Sequence, residues 1–474
     1  MLALISLLLL LPYTSAVCNV PPDFWCDNPR IALECTGSLN YCSNYVQNQK
    51  NRKMKIELSF EAACPDSRNF IQRIYPRLLA QSFIYEKVDF QPVPWGLSKY
   101  EEAGKLKCHH GIRECTGNRL LTCVMKHLKD DVEQRDKVLF CFMSKMEDKT
   151  SDPNLNMKQC FDKTYNNIFT STILPCSNGP EATTSQKFDE MRTLQILRKP
   201  RFVPYIAING NSHQHMQAAQ IMLPEKVRSW TETLENFPVA PITLPNRCQT
   251  PPDYWCSTPE ITSTCFDQAQ CNNYYNSIYG RPVHFKFIYR QSDPAVKSYF
   301  INYVKKHFVN DNTLRTENNT GKVVIDLAPV PPALHECKAT SCVDGAIQEC
   351  IISRTNLIDR NNILLCLLEN GPGVERAWNG FCKKLVTPTV AESIEKCSRS
   401  AEWYQYALRR ATLQSVYKVD LRLRDYYVIV NGYNIGGVQG LNHNLHRLVC
   451  LWYRGPGHDR DNCYRCDIEP THCI

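Results

Sequence analysis

Residues 54–67 read MKIELSFEAACPDS, and this stretch decides how the rest of the chain is interpreted. Polar and apolar side chains alternate over residues 54–60, as they do in a strand with one buried face. Beyond Pro65, residues 68–75 place their apolar side chains at helical spacing. The stretch therefore predicts a strand followed by a helix, with Cys64 at the junction.

The cysteine pattern singles out this junction residue. The chain holds 25 cysteines, and an odd number leaves at least one without an internal partner. Residues 18–26 read CNVPPDFWC, residues 248–256 read CQTPPDYWC, and a similar ladder of cysteines follows each motif. Such self-similarity predicts a tandem duplication. Cys64 stands outside both ladders, and the second copy has Ser292 in its place, so Cys64 is the predicted free thiol.

The order of elements around the junction predicts an α/β fold. We expect a second strand at residues 87–94, helices in the cysteine-rich stretches 119–128 and 132–146, and a further strand within residues 202–210. The second copy matches the second strand with residues 323–330. Strand, helix, strand, helical block and strand in this order are typical of α/β domains.

The amino terminus carries a short apolar run that ends in small residues just before Cys18. This run is typical of a secretory signal peptide, here residues 1–16, and it is shorter than the roughly 20 apolar residues that span a bilayer. We therefore expect a product of the secretory pathway without a membrane anchor. One domain is predicted at residues 17–245 and a second at residues 246–474, joined by the proline-rich residues 239–245.

Composition narrows the range of partners. The net charge is +8, but lysine and arginine are scattered rather than gathered into a stripe, so no nucleic-acid partner is expected. Cys463 and Cys466 have the spacing of zinc ligands, yet no second pair with this spacing accompanies them, and disulfides persist in oxidising compartments. We therefore predict bridged cysteines and no metal. Asn318 begins an Asn-Asn-Thr sequon and is a predicted glycosylation site.

A cysteine at the start of a helix is placed for reactivity. The first N–H groups of a helix have no partner within the helix, and the helix dipole favours negative charge there. Both effects lower the pKa of a thiol, and the thiolate is the form that attacks a disulfide. The alternative is a free cysteine that packs as a small buried apolar residue. The junction favours a nucleophilic Cys64 with a lowered pKa.

Ser67 limits what this thiol can do. In a C-x-x-C site the second thiol resolves the mixed disulfide formed by the first, but the third residue after Cys64 is serine. A hydroxyl group can hydrogen-bond a thiolate, yet it cannot take its place in a disulfide. We therefore expect thiol exchange or isomerisation that needs an external small thiol and no other cofactor.

A family resemblance rests on residues 108–123, which read CHHGIRECTGNRLLTC. They closely resemble the signature C-Q-H-G-x-x-E-C-x-x-N-x-x-x-x-C of the gamma-interferon-inducible lysosomal thiol reductases (GILT). The one departure is His109, which stands where the signature has glutamine. The CxxPPxxWC openings are also similar to that family, and the resemblance covers essentially the whole mature chain, twice over. The shared signature residues are Cys108, His110, Gly111, Glu114, Cys115, Asn118 and Cys123.

The resemblance implies two tandem thioredoxin-like domains, each with a disulfide-rich helical insertion. It also implies disulfide reduction at acidic pH in a secretory or lysosomal setting. The family's C-x-x-C motif falls on Cys64 and Ser67, and Pro204 resembles the cis-proline that faces the active cysteine. The resemblance thus implies a catalytic set of Cys64, Ser67 and Pro204. For the signature residues, including His110, we expect a structural role.

The second copy resembles an inactive version of the first. Ser292, Ala295 and Tyr426 are aligned with Cys64, Ser67 and Pro204. Residues 337–342 keep the two cysteines of the signature, but they lack the His-Gly pair and the glutamate. We therefore expect the chemistry to be confined to the first domain.

The leading hypothesis is a secreted or lysosomal thiol-disulfide oxidoreductase that acts on disulfide-bonded protein substrates through Cys64. One alternative is a non-catalytic secreted binding protein that keeps the fold for its surface. Another is a covalent dimer linked through Cys64. No oligomeric state is predicted.

Overall fold

The computed structural model describes residues 18–456, apart from residues 51, 102–103, 162–164, 196, 198–200, 213, 239–247, 310–320, 334–336 and 338–341. The described residues form two compact units. Among these residues, the first unit spans Asn28–Cys271, and the second combines residues 18–27 with residues 272–456. The predicted signal peptide, the boundary at residues 245 and 246, Asn318, Cys463 and Cys466 all lie outside the described residues.

The strands are, in chain order, β1 (Met54–Phe60), β2 (Val88–Pro94), β3 (Lys99–Tyr100), β4 (Leu106–Lys107), β5 (Tyr205–Ile208), β6 (Val283–Tyr289), β7 (Val323–Pro329), β8 (Tyr426–Val430) and β9 (Tyr433–Asn434). The predicted strands at residues 54–60, 87–94 and 323–330 are confirmed within one residue. The strand expected within residues 202–210 is confined to β5.

The helices are, in chain order, α1 (Pro29–Thr36), α2 (Asn40–Lys50), α3 (Pro65–Asn69), α4 (Tyr75–Leu79), α5 (Ile84–Lys87), α6 (Ile112–His127), α7 (Val132–Lys145), α8 (Pro153–Cys160), α9 (Asn166–Ile168), α10 (Leu174–Asn178), α11 (Pro180–Gln195), α12 (Gln214–Ala218), α13 (Leu223–Asn236), α14 (Pro259–Cys265), α15 (Gln268–Ile278), α16 (Pro294–Tyr299), α17 (Val343–Arg354), α18 (Leu357–Asn370), α19 (Val374–Ala377), α20 (Pro388–Ser398), α21 (Glu402–Ser415), α22 (Gly436–Gly440) and α23 (Leu445–Trp452). Single 3₁₀ turns lie at Pro22–Phe24, Gln220–Met222, Pro252–Tyr254, Lys383–Leu385 and Asn442–Asn444, and π-helical segments at Phe70–Ile74, Phe169–Ile173, Phe300–Val309 and Trp378–Cys382.

The first unit is organised around β1. Its sheet has the order β2-β1-β5, in which β2 runs parallel and β5 antiparallel to β1. The central strand is buried on both faces rather than on one, which corrects the expectation of a half-buried strand: Glu57 and Ser59 are buried as well as Leu58. Arg192 of α11 covers Glu57 with an ion pair of 2.8 Å, which compensates the buried carboxylate.

The second unit repeats this sheet with one extra strand, in the order β7-β6-β8-β9. β7 is again parallel and β8 antiparallel to the central β6. The register is also equivalent, because Ile56 pairs with Ile208 in the first unit and Phe285 pairs with Val430 in the second. Both units are therefore of mixed α/β class.

Disulfides hold the helices that lie between the second strand and β5 of the first unit. Cys108–Cys115 precedes and enters α6, Cys123–Cys176 joins α6 to α10, and Cys141–Cys160 joins α7 to α8. Bridges of this kind typically contribute about 2–4 kcal/mol each. The second unit has the equivalent bridges Cys337–Cys342, Cys350–Cys397 and Cys366–Cys382.

The aspartate of each CxxPPxxWC motif binds a side chain elsewhere in the same unit. In the first unit, Asp253 of the motif at residues 248–256 forms an ion pair with Lys226, and two bridges, Cys248–Cys265 and Cys256–Cys271, close the segment. In the second unit, the Asp23 carboxylate accepts a hydrogen bond of 2.8 Å from the Trp452 indole N–H. The motif thus contributes a structural segment to each unit.

Candidate active site

Cys64 lies where the chain leaves the sheet and starts a helix. β1 ends at Phe60, α3 begins at Pro65, and Cys64 occupies the N-cap with extended backbone angles. Proline suits the first helical position, because its missing N–H would have had no partner there. Among the described residues, Cys64 is the free cysteine, and its side chain is only 5% exposed. The sequence therefore located both the junction and the free thiol.

Pro204 is brought to the same place by the antiparallel pairing of β5 with β1. Ser59 pairs with Tyr205, so the residues just before β5 lie beside the end of β1. The Val203–Pro204 peptide bond is cis. The Cys64 thiol lies 3.9 Å from the Val203 carbonyl oxygen, to which it donates a weak hydrogen bond.

Ser67 lies in the first turn of α3, three residues after Cys64. Its side chain is fully buried, and its Oγ accepts a hydrogen bond of 3.2 Å from the Glu61 backbone N–H. Because this contact uses a lone pair of the oxygen, the hydroxyl hydrogen remains available for the sulfur of Cys64. The nearby backbone N–H and hydroxyl of Ser67 favour the charged form of the Cys64 sulfur and so act to lower the pKa of the thiol.

Burial nevertheless raises the pKa of the Cys64 thiol above its ordinary value. The loss of hydration outweighs the polar groups of Ser67 and the Asp66 backbone, which favour the thiolate, and the Glu61 carboxylate adds a further unfavourable charge. The prediction of a lowered pKa is therefore wrong. It considered the local helix start and could not include the packing that covers the thiol.

A cluster of carboxylates and imidazoles adjoins the loop between β1 and Cys64. Glu61 and Glu114 are both fully buried, and Glu114 Oε2 is 2.6 Å from His110 Nδ1. The backbone N–H of His110 also donates to Glu114 Oε1 at 3.1 Å. Glu61 Oε2 lies 3.3 Å from His110 Nδ1 and 3.4 Å from His109 Nδ1.

Burial and the neighbouring Glu114 raise the pKa of Glu61 to about 7, although a hydrogen bond from the Leu97 backbone N–H and the proximity of His110 oppose this shift. Sequence reasoning missed Glu61 as a site residue. Its position could have identified it, because Glu61 is an acidic residue within the apolar stretch between β1 and Cys64, and a carboxylate that is buried there requires partners.

The signature residues attach α6 to the loop that carries Cys64. Asn118 Oδ1 accepts a hydrogen bond of 2.9 Å from the Ala62 backbone N–H, and Asn118 Nδ2 donates to Ser98 Oγ at 3.4 Å. A Cβ added at Gly117 would lie 2.7 Å from Ala62 Cβ, so only glycine permits this close approach. Gly111 starts α6 with a positive φ of 82°. These contacts are consistent with a structural role for the signature.

Two groups of side chains in the described part of the chain are close enough to share a cation. The first comprises Glu61, His109 and His110. The second comprises His127, Cys176 and Glu181, but Cys176 is bridged to Cys123 and has no thiolate to offer.

The equivalent position in the second unit has different chemistry. β6 ends at Tyr289 and α16 begins at Pro294, so Asp293 rather than Ser292 corresponds to Cys64, and Val296 rather than Ala295 corresponds to Ser67. The alignment of the two copies was therefore wrong by one residue. Asp293 caps α16 by accepting a hydrogen bond of 2.8 Å from the Ala295 N–H.

Tyr426 takes the position of Pro204, as predicted, because the pairing of β8 with β6 repeats that of β5 with β1. Its ring stacks on Tyr299 with a centroid distance of 4.1 Å. A cavity of about 750 Å³ opens beside Asp293 and is lined by both charged and apolar side chains, among them Arg290, Lys297, Pro332 and Leu367.

The match to a known family model lies in the unit that contains Cys64. Residues 55–164 match the family model described as gamma interferon inducible lysosomal thiol reductase (GILT). A gamma-interferon-inducible lysosomal thiol reductase of Carassius auratus is 26% identical over 204 residues, which are 42% of this chain and 75% of that protein. A gamma-interferon-inducible lysosomal thiol reductase-like protein of Anopheles gambiae is 25% identical over 181 residues, 36% of this chain and 73% of that protein. GILT-like protein 1 of Drosophila melanogaster is 26% identical over 168 residues, 33% of this chain and 66% of that protein.

The matched stretch contains the Cys64 junction, the Cys108–Cys115 bridge and the helix that holds the Cys64 loop. Sequence resemblance and the location of the site thus coincide. Within residues 55–164, the chain is therefore similar to the gamma-interferon-inducible lysosomal thiol reductase family.

Proposed function

We propose that this protein is a thiol-disulfide oxidoreductase that acts on disulfide-bonded protein substrates through Cys64. The observation that carries the proposal is the free thiol at the N-cap of α3, beside the Val203 carbonyl group and the cis bond to Pro204. At the level of the family, the matched relatives support a thiol reductase-like activity because they are named as lysosomal thiol reductases. The proposed location is the lysosome or the extracellular space.

The reaction balances as two exchanges. Cys64 loses its proton to water, and the thiolate attacks one sulfur of the substrate disulfide. A bond to Cys64 Sγ forms as the substrate S–S bond breaks, and the second substrate sulfur leaves as a thiolate that takes up a proton. A small thiol then releases the substrate and remains on Cys64. A second molecule of the small thiol displaces the first as its own disulfide and regenerates Cys64.

Ser67 supports the thiolate but leaves resolution to the small thiol. Its hydroxyl and backbone N–H favour the charged form of the nearby sulfur, which supports the thiolate that forms during exchange. Because no second thiol lies at this position, the mixed disulfide with substrate persists until an external thiol arrives. No other cofactor is needed for this cycle.

We also propose that both units are thioredoxin-like domains with a helical insertion, produced by tandem duplication, and that the second is inactive. The shared sheet order, register and bridge pattern support the duplication. The replacement of Cys64 by Asp293 supports the loss of activity, because a carboxylate cannot form a disulfide. Among the described residues, no helix is long and apolar enough to cross a membrane, and the proposed partners include neither nucleic acid nor a membrane.

The test is reduction of a model protein disulfide between pH 4 and pH 7 with a small thiol present. We expect activity in the wild-type chain and its loss in Cys64→Ser, whereas Ser292→Ala, a substitution at the equivalent loop of the second unit, leaves it unchanged. Equal activity in the wild type and Cys64→Ser would refute the assignment of the nucleophile.

The second candidate function is non-catalytic binding through the retained fold. The cavity beside Asp293 favours it, because a cavity of this size with mixed lining is typical of ligand sites. Under this alternative the wild-type chain reduces no disulfide, and Cys64→Ser retains full biological activity.

A further inference from the structure

Glu61 presents a buried carboxylate oxygen to two imidazoles that are open to solvent. Glu61 is fully buried, and its Oε2 accepts no hydrogen bond from any described residue. His109 and His110 approach this oxygen from the surface, with side chains that are 54% and 32% exposed. A buried carboxylate oxygen directed at two accessible nitrogens is an arrangement that a cation completes.

The distances fit tetrahedral coordination. Zinc binds imidazole nitrogen and carboxylate oxygen at about 2.0–2.2 Å, which places two ligands of a tetrahedron about 3.3–3.5 Å apart. Glu61 Oε2 lies 3.3 Å from His110 Nδ1 and 3.4 Å from His109 Nδ1. All three ligand atoms lie within 4.8 Å of one another.

We propose that Glu61, His109 and His110 form a binding site for a divalent transition-metal cation of the zinc class. Two imidazoles and one carboxylate suit zinc, whereas calcium and magnesium prefer sites made of oxygen ligands. The fourth position is taken by water, and the cation replaces the proton by which His110 Nδ1 is hydrogen-bonded to Glu114 Oε2 at 2.6 Å. This proposal departs from the sequence-based expectation that the chain holds no metal, and it goes beyond the proposed thiol chemistry.

His109 and His110 are neighbours in the chain, so the sequence shows no spacing of ligands that would have predicted a metal site. Both precede α6, whereas Glu61 follows β1, so the site forms only when α6 is attached to the loop before Cys64. The site therefore shares Glu61 with the loop that holds the thiol, although the cation is bound by oxygen and nitrogen rather than by sulfur.

The test is titration of the full-length mature chain with Zn²⁺ by calorimetry and with Co²⁺ by absorption spectroscopy. We expect one binding event that is weakened at least about tenfold in His109→Gln, as the loss of a ligand requires. The cobalt complex should lack sulfur-to-cobalt charge transfer. Because His109 is half exposed, this variant is expected to fold, and Glu61→Gln provides a second test of the same site.

Two control variants separate this site from others. His127→Gln removes the imidazole of the second group, and Cys64→Ser removes the free thiol; both should bind Zn²⁺ as the wild type does. The proposal is overturned if the wild type binds no cation. It is also overturned if His109→Gln binds as tightly as the wild type, or if the binding event is lost in His127→Gln or Cys64→Ser.

Discussion

Replacing Asn118 with alanine tests whether α6 holds the loop that carries Cys64. Asn118 Oδ1 accepts a hydrogen bond of 2.9 Å from the Ala62 backbone N–H, in a region where both groups are buried. Alanine leaves that N–H without a partner and without water. The cost of an unsatisfied buried donor is about 1–3 kcal/mol, so the free energy of unfolding of the first unit should fall by this amount.

The same loss should change the reactivity of Cys64. The thiol is 5% exposed, so a reagent reaches it only when the loop opens. If opening becomes easier by about 1–3 kcal/mol, the open population rises about 5- to 150-fold. Alkylation of Cys64 by iodoacetamide, followed by mass spectrometry under native conditions, should accelerate within this range.

Asn156 supplies a matched control in the same unit. It is also buried, and its Nδ2 donates to the Lys145 carbonyl at 3.2 Å and to Ser151 Oγ at 2.7 Å, but it does not contact the Cys64 loop. Asn156→Ala should lower the unfolding free energy to a similar extent without accelerating alkylation. An equal acceleration in both variants, or none in Asn118→Ala despite its lower stability, would refute the reasoning.

Two further predictions concern acid stability and turnover. Burial and the nearby His307 lower the pKa of His446 to about 3, so below the unfolded value of 6.5 the unfolded chain binds a proton that the folded second unit does not. The free energy of unfolding of the second unit should therefore fall by up to about 2 kcal/mol as the pH is lowered from 7 to 5. In urea unfolding, His446→Gln should remove this fall, and a pH dependence that is unchanged in the variant would contradict the assignment. Ser67→Cys introduces a second thiol one turn from Cys64. In a single turnover without a small thiol, this variant should release reduced substrate, whereas the wild type should hold the substrate as a mixed disulfide. Release from both proteins alike would contradict the role given to Ser67.

Local sequence patterns predicted the elements near Cys64 because their causes are local. Alternation located β1, Pro65 and the apolar spacing after it located α3, and the odd cysteine count located the free thiol. The sequence pattern did not predict that Glu57, on the second face of β1, is buried. This burial depends on Arg192, which lies far along the chain and covers the carboxylate.

The parts that could not be predicted depend on packing between distant segments. The cluster of Glu61, His110 and Glu114 forms only when α6 meets the loop after β1, and no spacing rule connects those positions. The direction of the Cys64 pKa shift was wrong because burial outweighs the helix start. The one-residue error in the second copy had a local signal, since proline begins the helix in both units, and aligning Pro65 with Pro294 would have placed Asp293 opposite Cys64.

The central claim is that Cys64 attacks a disulfide and keeps its substrate. It is tested most directly by mixing the wild-type chain with a disulfide-bonded model peptide in the absence of small thiol and mapping the product by mass spectrometry. The account predicts one peptide attached through a disulfide to Cys64, with one new peptide thiol for each adduct. The absence of an adduct, or an adduct that forms equally in Cys64→Ser, would contradict it.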